Sequence, residues 1–176
     1  MKIKPTNEAG GVIVELGPTE TQMPEGTAFR LKKILVPVDF SACSNKALQY
    51  AQPFAKQFGA DLILLYVVEP YLPVPEMTTV DWDLIASRMR EGGEAELAKI
   101  KATVPPEISA TTELRVGTPA VEVVRAAKDL DADLIIISTH GRTGLAHVFL
   151  GSTAERIVRH ASCPVLVVRE REHEFV

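Results

Sequence analysis

Leu134-Ile135-Ile136-Ile137-Ser138-Thr139-His140-Gly141, followed after nine residues by Gly151-Ser152-Thr153, decides how this chain is read. Four consecutive aliphatic residues make a strand that is apolar on both faces. The run stops at small and polar residues, a loop follows, and Ser152 is expected to begin a helix. A strand, a glycine-punctuated loop and a helix N-terminus form a natural holder for phosphate. Loop N–H groups and the positive end of the helix dipole both favour an anion there. Glycine lets backbone approach a ligand with no Cβ in the way.

Outward from this stretch the same alternation repeats. Ile34-Leu35-Val36-Pro37-Val38 reads as a first buried strand. Ser41 then opens a helix with Ala47, Leu48, Ala51, Phe54, Ala55 and Phe58 along one stripe, and Gly59 closes it. Pro53 inside that helix is expected to kink it or shift a boundary. Leu62 to Val68 is a second strand. Pro70, Pro73 and Pro75 mark a loop, and a helix over about Val80 to Ala102 is weakened by Gly92-Gly93. Thr112 to Val116 is a third strand. Thr118 is a candidate N-cap before Pro119, opening a helix to about Leu130. Leu134 to Ile137 is the fourth strand and Val165 to Val168 the fifth, after a helix ending near His160. Five apolar strands alternating with helices predict an α/β, doubly wound parallel sheet with helices on both faces. Ligands of such sheets bind beyond the carboxyl ends of the strands, where strand order reverses.

Composition narrows the function. The chain has 176 residues and a formal net charge of −4, with basic residues scattered rather than striped. That argues against a nucleic-acid surface. No apolar run reaches the length of a membrane span, and Met1-Lys2-Ile3-Lys4-Pro5 lacks the apolar core of a signal peptide. The expectation is a cytoplasmic protein that meets no membrane. Cys43 and Cys163 stand in no metal-ligand spacing. Residues 1–30, rich in Gly, Pro, Thr and Glu, read as a peripheral or partly disordered extension, in which Val12 to Leu16 could add a strand. Residues 31–170 form the main domain and 171–176 a charged tail.

Each candidate residue has a plain structural reading beside the functional one. Asp39, at the end of the first strand, could bond a ribose hydroxyl or simply cap the next helix with Ser41 and Ser44. Ser152 and Glu155 have capping-box spacing, which is compatible with a hydroxyl that also meets phosphate. Arg142 either pairs with phosphate or is a solvated loop arginine. His140 and His147 read as loop histidines, since no nucleophile or metal arrangement accompanies them. Cys43, in a first helical turn, and Cys163, before Pro164, read as structural. No metal site is expected.

Lys33-Ile34-Leu35-Val36-Pro37-Val38-Asp39-Phe40-Ser41, Leu62 to Val68, Val116-Gly117-Thr118-Pro119, Thr139-His140-Gly141, Gly151-Ser152 and Pro164 to Val168 together resemble the universal stress protein (UspA-like) family. The resemblance covers about residues 30 to 170. It implies a sheet order of 3-2-1-4-5 and an adenine-nucleotide-binding regulator of the stress response. The implied ligand is ATP, or AMP or ADP, with or without Mg2+. Pro37, Val38 and Asp39 would lie along the adenosine, with Val67 and Ile137 against the adenine. Ser138, Gly141, Arg142, Gly151, Ser152 and Thr153 would complete the nucleotide site, with Ser138 where ribose or phosphate approaches. The family's nucleotide binders carry glycine, two residues, glycine, nine residues, then glycine and serine or threonine. Ser138 stands at the first glycine, placing a Cβ where backbone and ligand would approach. On that ground Ser138→Gly is expected to tighten binding by less than about tenfold. The alternatives are an interaction module of the same fold that binds no ATP, and a slow ATPase. Against a dedicated enzyme, no lysine follows a glycine loop in the Walker manner. The last strand, Val165, Leu166, Val167 and Val168, is an edge in the family order. It carries no charge, and so predicts a homodimer.

Overall fold

The computed structural model describes residues 2–5, 12–15, 30–70, 82–141 and 151–169. The chain divides into two compact units, Met1–Arg30 and Leu31–Val176. In the first, β1 (Lys2–Pro5) pairs antiparallel with β2 (Val12–Glu15), placing Ile3 opposite Val14. The apolar patch is thus a strand of its own two-stranded sheet. Leu16 and the tail 171–176 lie outside the described residues.

The second unit runs β3 (Lys33–Pro37), α1 (Ala42–Phe58), β4 (Asp61–Val68), α2 (Trp82–Lys101), β5 (Ala110–Val116), α3 (Pro119–Asp129), β6 (Leu134–Ser138), α4 (Ser152–His160) and β7 (Val165–Val168). Its five strands are all parallel, in the order β5-β4-β3-β6-β7. Counted within this sheet, the order is 3-2-1-4-5. Strand residues alternate between two cores. Ile34, Val36, Leu62, Leu64 and Ile136 pack with Ala47, Leu48 and Ala51 of α1 and Leu97 of α2. Leu35, Leu65, Ile135 and Ile137 pack with Val123 and Ala126 of α3 and Ala154 and Ile157 of α4. Both faces of every central strand are therefore buried, which is why these strands read as unbroken apolar runs. Full burial of one such side chain contributes about 1.5–3 kcal/mol.

Helix ends follow local chemistry, with some departures from expectation. Ser41 caps α1, its hydroxyl accepting from Ser44 N–H, and Gly59 closes the helix at φ 65°, a conformation that favours glycine. Pro53 neither breaks α1 nor moves its boundary. Proline removes the bond to the carbonyl four residues back, which belongs to Gln49. Both residues are on the exposed side, where water can take that carbonyl. Helix α2 also runs unbroken through Gly92-Gly93. Gly92 is exposed with open space around it. A Cβ on Gly93 would stand 2.7 Å from the Tyr66 ring and 3.0 Å from Leu114. Gly93 thus trades helix propensity for a close approach of α2 to the sheet. Thr118 occupies the N-cap of α3 without a side-chain cap bond, and Pro119 takes the first helical position.

Asp133 sets how β3 meets β6. Its carboxylate accepts from the N–H groups of Lys32 (2.7 Å) and Lys33 (2.9 Å), and its own N–H donates to Lys33 O at 2.9 Å. These bonds clamp the two strands at their amino ends. The ladder pairs Ile34 with Leu134 and Leu35 with Ile135, and both strands continue beyond it. β3 leads through α1 to one side of the sheet, while β6 pairs with β7 on the other. The strand order reverses between these two strands.

Candidate functional site

The carboxyl ends of β3, β4 and β6 converge at this reversal. Register sets the arrangement. Pro37 pairs with Leu65, so Asp39 and Val67 stand level, each two residues further on. Leu35 pairs with Ile135, and Thr139 follows four residues beyond that pair on the one strand as Asp39 does on the other. Ser138 pairs with Val168, and Thr139 N–H extends that ladder to Val168 O at 2.9 Å.

The turn after β3 aims Asp39. Phe40 adopts φ 66°, which costs a non-glycine residue about 1–2 kcal/mol. Its ring lies 4.4 Å from that of Tyr66, and hydrogen bonds on either side hold the turn. Asp39 Oδ1 accepts from Ser41 N–H (3.1 Å) and Ser41 Oγ (2.6 Å), while Asp39 N–H donates to the buried Ser44 Oγ at 3.3 Å. Asp39 is therefore part of the α1 cap assembly through one carboxylate oxygen. The other, Oδ2, is turned to Gly141. A Cβ built on Gly141 would lie 2.5 Å from it. Gly141 has no left-handed φ, so glycine is needed there for space beside the carboxylate.

The loop after β6 is tied at its start. Ser138 Oγ donates to His140 O at 2.8 Å, and Thr139 Oγ1 lies 2.9 Å from His140 Nδ1. Gly151 N–H donates to Thr139 O at 2.8 Å, which brings the two ends of the loop together. A Cβ on Gly151 would stand 2.9 Å from that same carbonyl oxygen. Helix α4 follows, with Gly151 as its N-cap and no side-chain cap bond. The expected capping box between Ser152 and Glu155 does not form. Ser152 is one position too late to be the cap, and Glu155 instead accepts from Arg159 at 2.7 Å. Ser152 and Thr153 are exposed in the first turn. Among the described residues no capping side chain claims the N–H groups at this end, which leaves them suited to an anion.

Asp39, Ser138, Gly141 and Gly151 lie near one another at this edge of the sheet. Pro37 and Val67 are half-buried at the same edge. Val38 and Ile137 differ: the two residues are 4% and 6% exposed and belong to the two cores. Strand alternation sends them inward, so a ligand could meet them chiefly through backbone. Arg142, Gly144 and His147 lie outside the described residues. Thr139 is an addition: buried and bonded on both sides, it joins β7 to the helix N-terminus. Its place two residues after the apolar run was the available signal.

The remaining chemistry is structural. Cys43 is buried, and Cys163 is half-buried with its thiol pushed up, by burial first and by the Asp133 charge second. Neither is a poised nucleophile. In the Val116-Gly117-Thr118-Pro119 stretch, Gly117 has φ 152°, and a Cβ there would meet Glu122 at 2.9 Å. Glu122 pairs with Arg125 at 2.7 Å. That stretch is explained by the turn into α3. Among the described residues no cluster of three or more His, Cys, Asp or Glu could hold a metal, and no helix is long and apolar enough to cross a membrane.

Comparison with known proteins gives a consistent picture. The profile of the universal stress protein family matches residues 30–169. Universal stress protein MJ0531 of Methanocaldococcus jannaschii is 39% identical over 146 residues, spanning 81% of this chain and 85% of that protein. The solved structure of MJ0577, from the same organism, has a TM-score of 0.71 at 30% identity, covering 83% of this chain and all of that one. A universal stress protein in complex with cAMP (TM-score 0.61, 22% identity) covers 80% of this chain and 98% of its own. One from Archaeoglobus fulgidus in complex with dAMP (TM-score 0.52, 23% identity) covers 79% and 98%. The last two share the fold.

Proposed function

Since this chain belongs to the universal stress protein family, we propose that it binds an adenine nucleotide where β3 and β6 part, as a regulator of the stress response. Nucleotide-dependent conformation or partner binding carries the signal. The observation behind this reading is the N-terminus of α4. It has no side-chain cap among the described residues, begins at a glycine tied to Thr139, and lies at the reversal of strand order. Backbone N–H groups of Gly141, Ser152 and Thr153 suit phosphate oxygens, and Asp39 Oδ2 suits a ribose hydroxyl. Val67 offers the adenine an apolar side chain. ATP, ADP and AMP share these features, and any Mg2+ would enter held mainly by phosphate oxygens. The relatives solved with cAMP and dAMP support the adenine class.

A second reading is an interaction module that binds no nucleotide. Asp39 Oδ2 already fills the space beside Gly141, which favours it. Mass spectrometry of the supernatant after denaturing the purified protein, with calorimetric titration of ATP and AMP, separates the two. The nucleotide reading expects a co-purifying adenine nucleotide or saturable binding. Neither in a folded sample would refute it.

The proposal extends to a homodimer in the cytoplasm. β7 is an outer strand of four aliphatic residues. Pro164 O and Val168 O accept from β6 and the residue after it, so Val165 and Val167 present their backbone groups to the open edge.

A further inference from the structure

We propose that Ser138 is a positioning residue, whose hydroxyl orients the Gly141 N–H for an anion without touching the ligand itself. The inference rests on the adenine-nucleotide reading. Ser138 is buried, and a serine hydroxyl has one proton to give. That proton goes to His140 O at 2.8 Å. The carbonyl of His140 and the N–H of Gly141 belong to one peptide unit, planar and trans, in which they point in opposite directions. Holding the carbonyl toward Ser138 therefore turns the Gly141 N–H away from it.

The neighbouring peptide groups are fixed independently. Thr139 N–H is held by Val168 O, and Thr139 O accepts from Gly151 N–H. The unit between His140 and Gly141 is the next one along, and Ser138 Oγ holds its carbonyl. A glycine at position 138 would remove the hydrogen bond that holds this carbonyl and so loosen that peptide plane. The preorganisation that lets backbone donors serve an anion would then be lost. This reverses the sign expected from the glycine pattern alone: Ser138→Gly weakens binding instead of tightening it.

The test is calorimetric titration of ATP and of adenosine against the parent, Ser138→Gly, Ser138→Ala and Ser138→Thr, with melting curves to confirm folding. A net hydrogen bond corresponds to a two- to tenfold change, centred near about fivefold. Ser138→Gly and Ser138→Ala should lose that factor for ATP and leave adenosine unchanged, because only phosphate meets the Gly141 N–H. Ser138→Thr keeps the hydroxyl and should keep the affinity. Should the alanine variant unfold, Ser138→Cys retains the shape with a weaker donor, and the same split is expected. A parent that binds neither ligand refutes the nucleotide reading. A parent that binds, with variants matching it or losing both ligands in parallel, overturns the positioning role alone.

Discussion

Replacing Gly141 by alanine tests whether that glycine exists to make room for Asp39. The added Cβ would sit 2.5 Å from Asp39 Oδ2, where ordinary contacts begin near 3.4 Å. The backbone at Gly141 suits any residue, so no φ strain enters. The carboxylate must turn away. Its other oxygen, however, accepts from Ser41 N–H at 3.1 Å and Ser41 Oγ at 2.6 Å. Hydrogen bonds to a charged group contribute about 1.5–3 kcal/mol each when buried. Asp39 is only part-buried and water would replace much of this, so about 1–2 kcal/mol is expected. Alanine returns about 0.4–1 kcal/mol by restricting the unfolded chain. The net loss is then about 1 kcal/mol. Urea denaturation should show a lower midpoint at unchanged slope. A double-mutant cycle with Asp39→Ala is decisive, because without the carboxylate the clash is gone and alanine should become neutral or mildly stabilising. An equal cost of Gly141→Ala in both backgrounds would refute the reasoning.

Gly151→Ala faces a backbone oxygen instead of a mobile side chain, the 2.9 Å contact with Thr139 O. It should cost about 1–3 kcal/mol and weaken ATP binding, read by denaturation and titration together. The two glycines of α2 should part company. Gly92→Ala is expected to raise stability by about 1 kcal/mol, and Gly93→Ala to lower it through the Tyr66 ring, so equal melting shifts would contradict the packing. Val167→Pro removes an N–H from the open edge of β7 while sparing the bonds to β6. Light scattering should report a monomer from a dimeric parent, and a dimer that survives would place the interface elsewhere.

The fold was legible because its information is local. Leu134 to Ile137 and Val165 to Val168 are apolar without alternation, a pattern that burial on both faces produces. Ser41 and Gly59 mark the ends of α1 with chemistry carried in single side chains, or in the lack of one. The strand order followed from resemblance to a family, and the paired registers bear it out. Three-dimensional proximity decided the rest. Gly92 and Gly93 are indistinguishable in the sequence, yet only one faces Tyr66, because helical phase turns adjacent residues in different directions. Val38 and Ile137 could be placed at the right edge of the sheet. Whether their side chains entered the crevice or a core depended on where each strand stopped and which face it had reached. Ser138 looked like a lost glycine. Its hydroxyl has a role only once the chain turns back on itself, placing His140 O 2.8 Å away. Composition and periodicity record which groups must be buried. The partner of a given polar atom depends on the path of the backbone beyond it, and that path is settled by packing across the whole sheet.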